Sequence, residues 1–187
     1  MTSDPDLIYA HDNGDEHAFN KLVQLHLRSV YNFALRVSNN AEDAEDITQI
    51  TFVKAWSSLH TFSRERNFKT WLFTIAHNAT IDVLRKKRDV PMGLLRKDDE
   101  ETAFEEHISD IELLPDEIVM RAEEKKLLHV LLEKLPAYQR EVLLLYFQEH
   151  RTLAEIASIR GESINTVKSR HLRGLQRLRQ LFLDAPK

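Results

Sequence analysis

The sequence predicts an all-α protein: two small helical domains joined by an acidic flexible linker, the C-terminal one a helix-turn-helix. Three observations predict it. Apolar residues recur at three- and four-residue spacings, and nowhere does a sustained alternation run between hairpin turns. Only 4 of 187 residues are glycine, while 30% are charged and 42% hydrophobic, a composition that suits helices with real cores. Finally, ten acids and no Lys or Arg lie between Asp98 and Glu117, flanked by Pro91, Gly93 and Pro115. A charge run of that kind divides the helical pattern in two and reads as a solvated tether. The expected boundaries are residues 1–88, 89–117 and 118–187.

Taken in order, Asp4-Pro5 reads as a helix start, because a first-turn proline lacks only an N–H that would be unpaired anyway. Asn13-Gly14 is a turn signal. From Ala18 the apolar positions Phe19, Leu22, Val23, Val30, Phe33, Ala34 and Val37 keep one helical face buried. Asn39-Asn40 interrupts. A second helix follows over 41–56, acidic in its first turns, where the helix dipole favours negative charge. Residues 57–69 have no clean period and are expected to form a loop. The stretch 70–88 is again helical, with Trp71, Leu72, Ile75, Ala79 and Val83 on its apolar face and Arg85-Lys86-Lys87-Arg88 at its end. From Ile118 helical patterning returns in three or four segments.

Composition narrows the functional classes. With no cysteine, disulfides, thiolate metal sites and a cysteine nucleophile are excluded. The N-terminus lacks a basic-then-apolar leader pattern, and no uncharged apolar run reaches membrane-spanning length. A soluble, cytoplasmic protein without membrane insertion is the expectation. The sequence has no HExxH, Walker or GxSxG pattern, so no enzyme is expected and no catalytic residue, metal ligand or cofactor is assigned. The group His11, Asp12, Glu16 and His17 could bind a metal in principle, but it straddles the Asn13-Gly14 turn.

Against a formal net charge of -4, the stretch "NTVKSRHLRGLQRLRQL" (165–181) carries Lys168, Arg170, Arg173, Arg177 and Arg179 and no acid. On a helix of 3.6 residues per turn, Ile164, Val167, Leu175, Leu178, Leu181 and Phe182 share one arc. Thr166, Arg170, Arg173 and Arg177 line the opposite flank. His171 falls beside the apolar arc, where packing suits it better than a base contact. Just before lies "TLAEIASIRGES", a short helix and a tight turn at Gly161. Two short helices joined by a glycine turn make a helix-turn-helix, whose second helix enters the DNA major groove. Arginine can grip guanine with two hydrogen bonds, and hydroxyls can bind phosphate oxygens.

These residues also resemble a known family. Leu135-Pro136, Gln139-Arg140-Glu141-Val142, Glu155-Ile156-Ala157 and Thr166-Val167-Lys168-Ser169-Arg170 are similar to the C-terminal domain of extracytoplasmic-function sigma factors of bacterial RNA polymerase. "AEDAEDITQITFVKAW" (41–56) and "FKTWLFTIAHNATIDVLRKKR" (68–88) resemble the family's core-binding and −10-binding segments, in the expected order. The likeness spans residues 16–88 and 118–182. It implies a promoter-directing initiation factor that binds polymerase core through a coiled coil of the largest subunit, using Asp46, Gln49, Ile50 and Phe52. Ile50 stands where the family usually has Glu, Asn165 where glycine is common, and Gly174 where alanine is common.

The resemblance further implies that the −10 element is read as melted single strand, by Arg64, Asn67, Phe68, Lys69, Trp71, Asn78, Arg85 and Lys86. A basic, aromatic, irregular segment suits unstacked bases; Phe68 and Trp71 suit the protein core equally well. The −35 duplex would be read by Thr166, Lys168, Ser169, Arg170, Arg173 and Arg177. An anti-sigma factor is the implied controller, and the acidic linker suits a path through basic polymerase channels. A helix-turn-helix regulator acting alone is the rival reading. It would explain residues 118–182 but neither the acidic helix nor the aromatic loop.

Overall fold

The computed structural model of the chain describes residues 3–88 and 122–185; the acidic linker lies outside them. Every regular element among the described residues is helical, as the sequence predicts. Helix α1 (Asp4–Asp12) starts on a capping box in which the Ser3 N–H and hydroxyl both donate to Asp6, at 3.0 and 2.7 Å. Gly14, at φ 93°, turns the chain. Asp15 then caps α2 (Glu16–Ser38) by accepting from the His17 N–H. The Asn39-Asn40 pair does two jobs. Asn39 ends α2 in the left-handed conformation (φ 55°), and the Asn40 side chain accepts from the Asp43 N–H to start α3 (Ala41–Ser58). Helices α2 and α3 therefore form a tight hairpin.

The expected loop at 57–69 is shorter than its sequence suggests. Helix α3 runs through Ser58, a 3-10 turn covers Leu59–Thr61, and α4 (Phe68–Arg88) begins before residue 70. Asn67 supplies the missing start signal: its side chain accepts from the Thr70 N–H at 3.0 Å. Phe33 of α2 meets Phe73 of α4 edge-on at 5.3 Å, in a core shared with Leu22, Val30 and Leu72.

The second half contains α5 (Ala122–Glu133), α6 (Ala137–Leu143) continuing into a π-helical turn at Leu144–Gln148, α7 (Leu153–Arg160) and α8 (Ile164–Leu183). A Thr152/Glu155 capping box starts α7. Gly161 ends it at φ 63°, and Ser163 caps α8 through the Thr166 N–H. The helix-turn-helix expected from the sequence is α7–turn–α8. Gly174 lets α8 lie close on α6, since a Cβ there would sit 3.2 Å from Leu143 Cδ1.

The two halves touch. Helix α4 packs against α7, and α2 against α6, so that Phe33, Leu72 and Phe73 join Leu143, Leu145 and Ile156 in one buried cluster. Polar contacts surround it. Arg36 donates to Gln148 (2.9 Å), Lys69 pairs with Glu149 (2.9 Å), and the Thr70 hydroxyl donates to Glu155 (2.9 Å). His77 Nδ1 lies 2.5 Å from Glu141 Oε1.

Candidate functional site

Three surfaces gather the residues singled out by sequence. The first is a groove between α2 and α3. Thr48, Gln49, Phe52, Val53 and Trp56 line its α3 side, and Phe19, Val23, Leu27 and Tyr31 its α2 side. The register explains this: positions 45, 48, 49, 52, 53 and 56 recur every three or four residues, on a different face of α3 from the buried Ala44, Ile47, Thr51 and Ala55. Trp56 is 50% exposed and Val53 61%, although Phe19 and His11 pack edge-on to the indole at 4.9 and 5.2 Å. Glu16, His17, Arg28 and Glu45 also line the groove. An apolar floor with charged edges suits a helical partner that offers apolar knobs.

Of the expected core-binding residues, Gln49 and Phe52 line this groove. Asp46 is exposed outside it, and Ile50 packs against the separate cluster of Ala34, Ala44, Ile47, Ala79 and Val83. Val53, Trp56 and Leu27 were missed by sequence reading. The signal available was that the apolar residues of α3 span more than one helical face.

The second surface is the loop before α4 and the outer face of that helix. Phe62, Phe68 and Trp71 form an aromatic cluster with centroids 5.2–5.6 Å apart. Within it Phe68 is 5% exposed and packs into the core, while Trp71 and Phe62 are half-buried. Arg64 lies over the Tyr9 ring and pairs with Asp12. The His11 ring packs on Trp56 and Phe19. Trp71, Asn78 and Arg85 are seven residues apart on one face of α4; Arg85 meets Asp82 at 3.4 Å, and Asn78 and Lys86 are exposed. Asn67 and Lys69 face the second half of the chain.

The third surface is α8. Lys168 and Arg177 are exposed, and Thr166, Ser169 and Arg173 partly so. Arg170 departs from expectation. It is 6% exposed, pairs with Glu162 and lies 5.2 Å over the Tyr138 ring. A helical projection cannot reveal this, because the counter-charge comes from the turn before α8. Glu162 also holds Arg160, whose guanidinium pairs in turn with Glu141. Burial pushes Glu141 up, but Arg160 and then His77 outweigh it and hold the carboxyl at about 2, against an ordinary 4.5. His171 is buried between Tyr146 (4.6 Å) and Phe147 (5.9 Å), and burial lowers its pKa.

Family comparison fits this arrangement. Residues 22–90 match the model of Sigma-70 region 2, and residues 125–178 that of Sigma-70 region 4. The ECF RNA polymerase sigma factor SigW of Bacillus subtilis is 33% identical over 172 residues, 91% of this chain and 92% of that one. This chain belongs to the extracytoplasmic-function sigma factors. A second relative, SigX of the same organism, is 29% identical over 88% of this sigma factor and 84% of its own length. Among solved structures, the chain resembles the sigma factor RpoE of Bartonella quintana in complex with the anti-sigma factor NepR. The TM-score is 0.65 at 28% identity, over 91% of this sigma factor and 99% of that chain. It also resembles CnrH in complex with the cytosolic domain of CnrY: TM-score 0.67, 26% identity, over 97% and 99%. As in any sigma factor, the function to account for is promoter-directed initiation. Among the described residues, no helix is long and apolar enough to cross a membrane.

Proposed function

We propose that this sigma factor divides its work among the three surfaces. The α2–α3 groove takes helices of the polymerase core, the coiled coil of the largest subunit, through Gln49, Phe52 and Trp56, with the exposed Asp46 contacting the same partner from outside it. Arg64, Asn67, Lys69, Trp71, Asn78, Arg85 and Lys86 read the melted −10 strand. Thr166, Lys168, Ser169, Arg173 and Arg177 read the −35 duplex. Residues 1–88 and 118–187 are the two functional domains and 89–117 the tether. The chain works in the cytoplasm by binding alone, without an enzymic activity of its own. An anti-sigma protein is its controller; the similar sigma factor RpoE is in complex with the anti-sigma factor NepR.

The observation that carries this reading is the groove. A helix-turn-helix regulator acting alone has no use for an exposed apolar trough on the opposite half of the chain. Pull-down with polymerase core, followed by run-off transcription from a promoter library, tests it. A chain that neither binds core nor selects promoters is not working as proposed.

A further inference from the structure

We infer that Tyr9 of α1 is a further strand-binding residue: with Arg64 it forms a stacking platform for one unpaired base of the promoter strand. The inference rests on the −10 reading proposed above and extends it to a helix outside the loop. Tyr9 is 61% exposed, although the adjacent Leu7 and Ile8 are buried. The Arg64 guanidinium carbon lies 5.5 Å from the centre of the ring. Asp12, one turn after Tyr9, pairs with that guanidinium, and the Arg64 side chain stays 57% exposed. Ring and cation are both held in place and both open to solvent.

The platform is fixed to the loop before α4. Leu7 and Ile8 anchor α1 in the core, and Asp4 meets His26 Nε2 at 2.9 Å. The His26 ring packs 5.5 Å from Phe68, inside the aromatic cluster of that loop. His11, two residues on from Tyr9, points the other way and packs on Trp56 of the α2–α3 groove. One side of α1 therefore belongs to the groove and the other to the loop. A nucleotide suits the loop side: it brings a base for the ring and a phosphate for the guanidinium. An apolar protein segment would have to desolvate the Arg64–Asp12 pair and offer nothing in return. Because Asp12 already restrains Arg64, little side-chain freedom is lost on binding. Every base has a π-face, so the platform adds affinity with little preference for which base it takes.

The test uses holoenzyme and a fluorescent −10 non-template strand, with its flanking nucleotides, from a promoter selected by run-off. Tyr9→Leu should weaken strand binding by about tenfold, while Tyr9→Phe, which keeps the ring, should match wild type. Strands with a single abasic site at successive positions then locate the base. One position should cost wild type about tenfold on losing its base, tolerate any base, and cost Tyr9→Leu nothing further. The Tyr9→Leu chain should melt like wild type, since the ring lies outside the core. A second measurement needs no variant: iodouracil placed at that position should crosslink to Tyr9 of the wild-type chain on illumination. No adduct on Tyr9 from any position overturns the inference, as does a Tyr9→Leu chain that binds the strand normally or keeps the full abasic cost. A Tyr9→Leu loss confined to polymerase-core affinity also overturns it, and makes the ring a protein contact. Failure of the underlying reading looks different: a holoenzyme whose strand binding ignores Asn67→Ala and Lys69→Ala.

Discussion

Replacing Glu141 by glutamine should cost stability in a way that depends on pH. The side chain is buried and bridges the halves, accepting from Arg160 on α7 and facing His77 on α4 at 2.5 Å. Its carboxyl is held at about 2 in the fold, while the unfolded chain returns it to about 4.5. A drop of that size, at about 1.36 kcal/mol per pKa unit, corresponds to on the order of 3 kcal/mol. Because the folded value is the depressed one, this stabilisation is fully present above 4.5 and disappears as pH falls toward 2. Glu141→Gln keeps the shape and removes the charge. Urea unfolding near neutral pH should show the variant less stable by about that amount. Repeated between pH 4.5 and 2, the gap should close, because the wild type is losing what the variant never had. A gap that stays constant through this window, or no gap at neutral pH, would refute the assignment of the network's stability to the Glu141 charge.

Arg170→Ala should act on the fold first, lowering stability by about 2–3 kcal/mol, less than a fully stranded pair costs because Arg160 still faces Glu162; thermal melting reads it. Lys168→Ala should leave the melting temperature alone, weaken all duplexes evenly and make the salt dependence shallower by about 1. Trp56→Ala is expected to weaken polymerase-core binding by about 2 kcal/mol, measured by titration against core, with the fold intact since half the indole is exposed. Ile50→Glu should instead destabilise the first half by at least about 2 kcal/mol in chemical unfolding, because the new carboxylate would displace an apolar contact with Ala34 and Val83.

Much of the helical order was legible in short-range signals. Asn13-Gly14, Asn39-Asn40 and Gly161 end helices in the sequence and in the structure, because each offers a side-chain cap or a positive φ that other residues resist. The reach of α3 through Ser58 was not legible, since a serine pair reads as a loop; here both hydroxyls donate back to the Lys54 carbonyl. Gln49 and Phe52 were found by resemblance. Trp56 required knowing which second face of α3 remains uncovered. Arg170 was misplaced for a related reason, its partner lying eight residues away across a turn. Longer in range are the contacts of His77 with Glu141, 64 positions apart, and of Arg36 with Gln148, 112 apart, and no local periodicity encodes such pairings.

The seam between α4 and α7 makes the two halves a matched set, which matters to anyone redirecting promoter choice by exchange of parts. Grafting a relative's C-terminal half onto this N-terminal half would bring a foreign reading helix, as intended. It would also bring a foreign edge to set against Arg36, Lys69, Thr70 and His77. A chimera that keeps Glu141, Gln148, Glu149 and Glu155 at that edge retains the native complementarity. One that changes them starts from ill-fitting charges at the centre of the molecule, and its behaviour as a transcription factor would report on the mismatch as much as on the DNA sequence it was built to read.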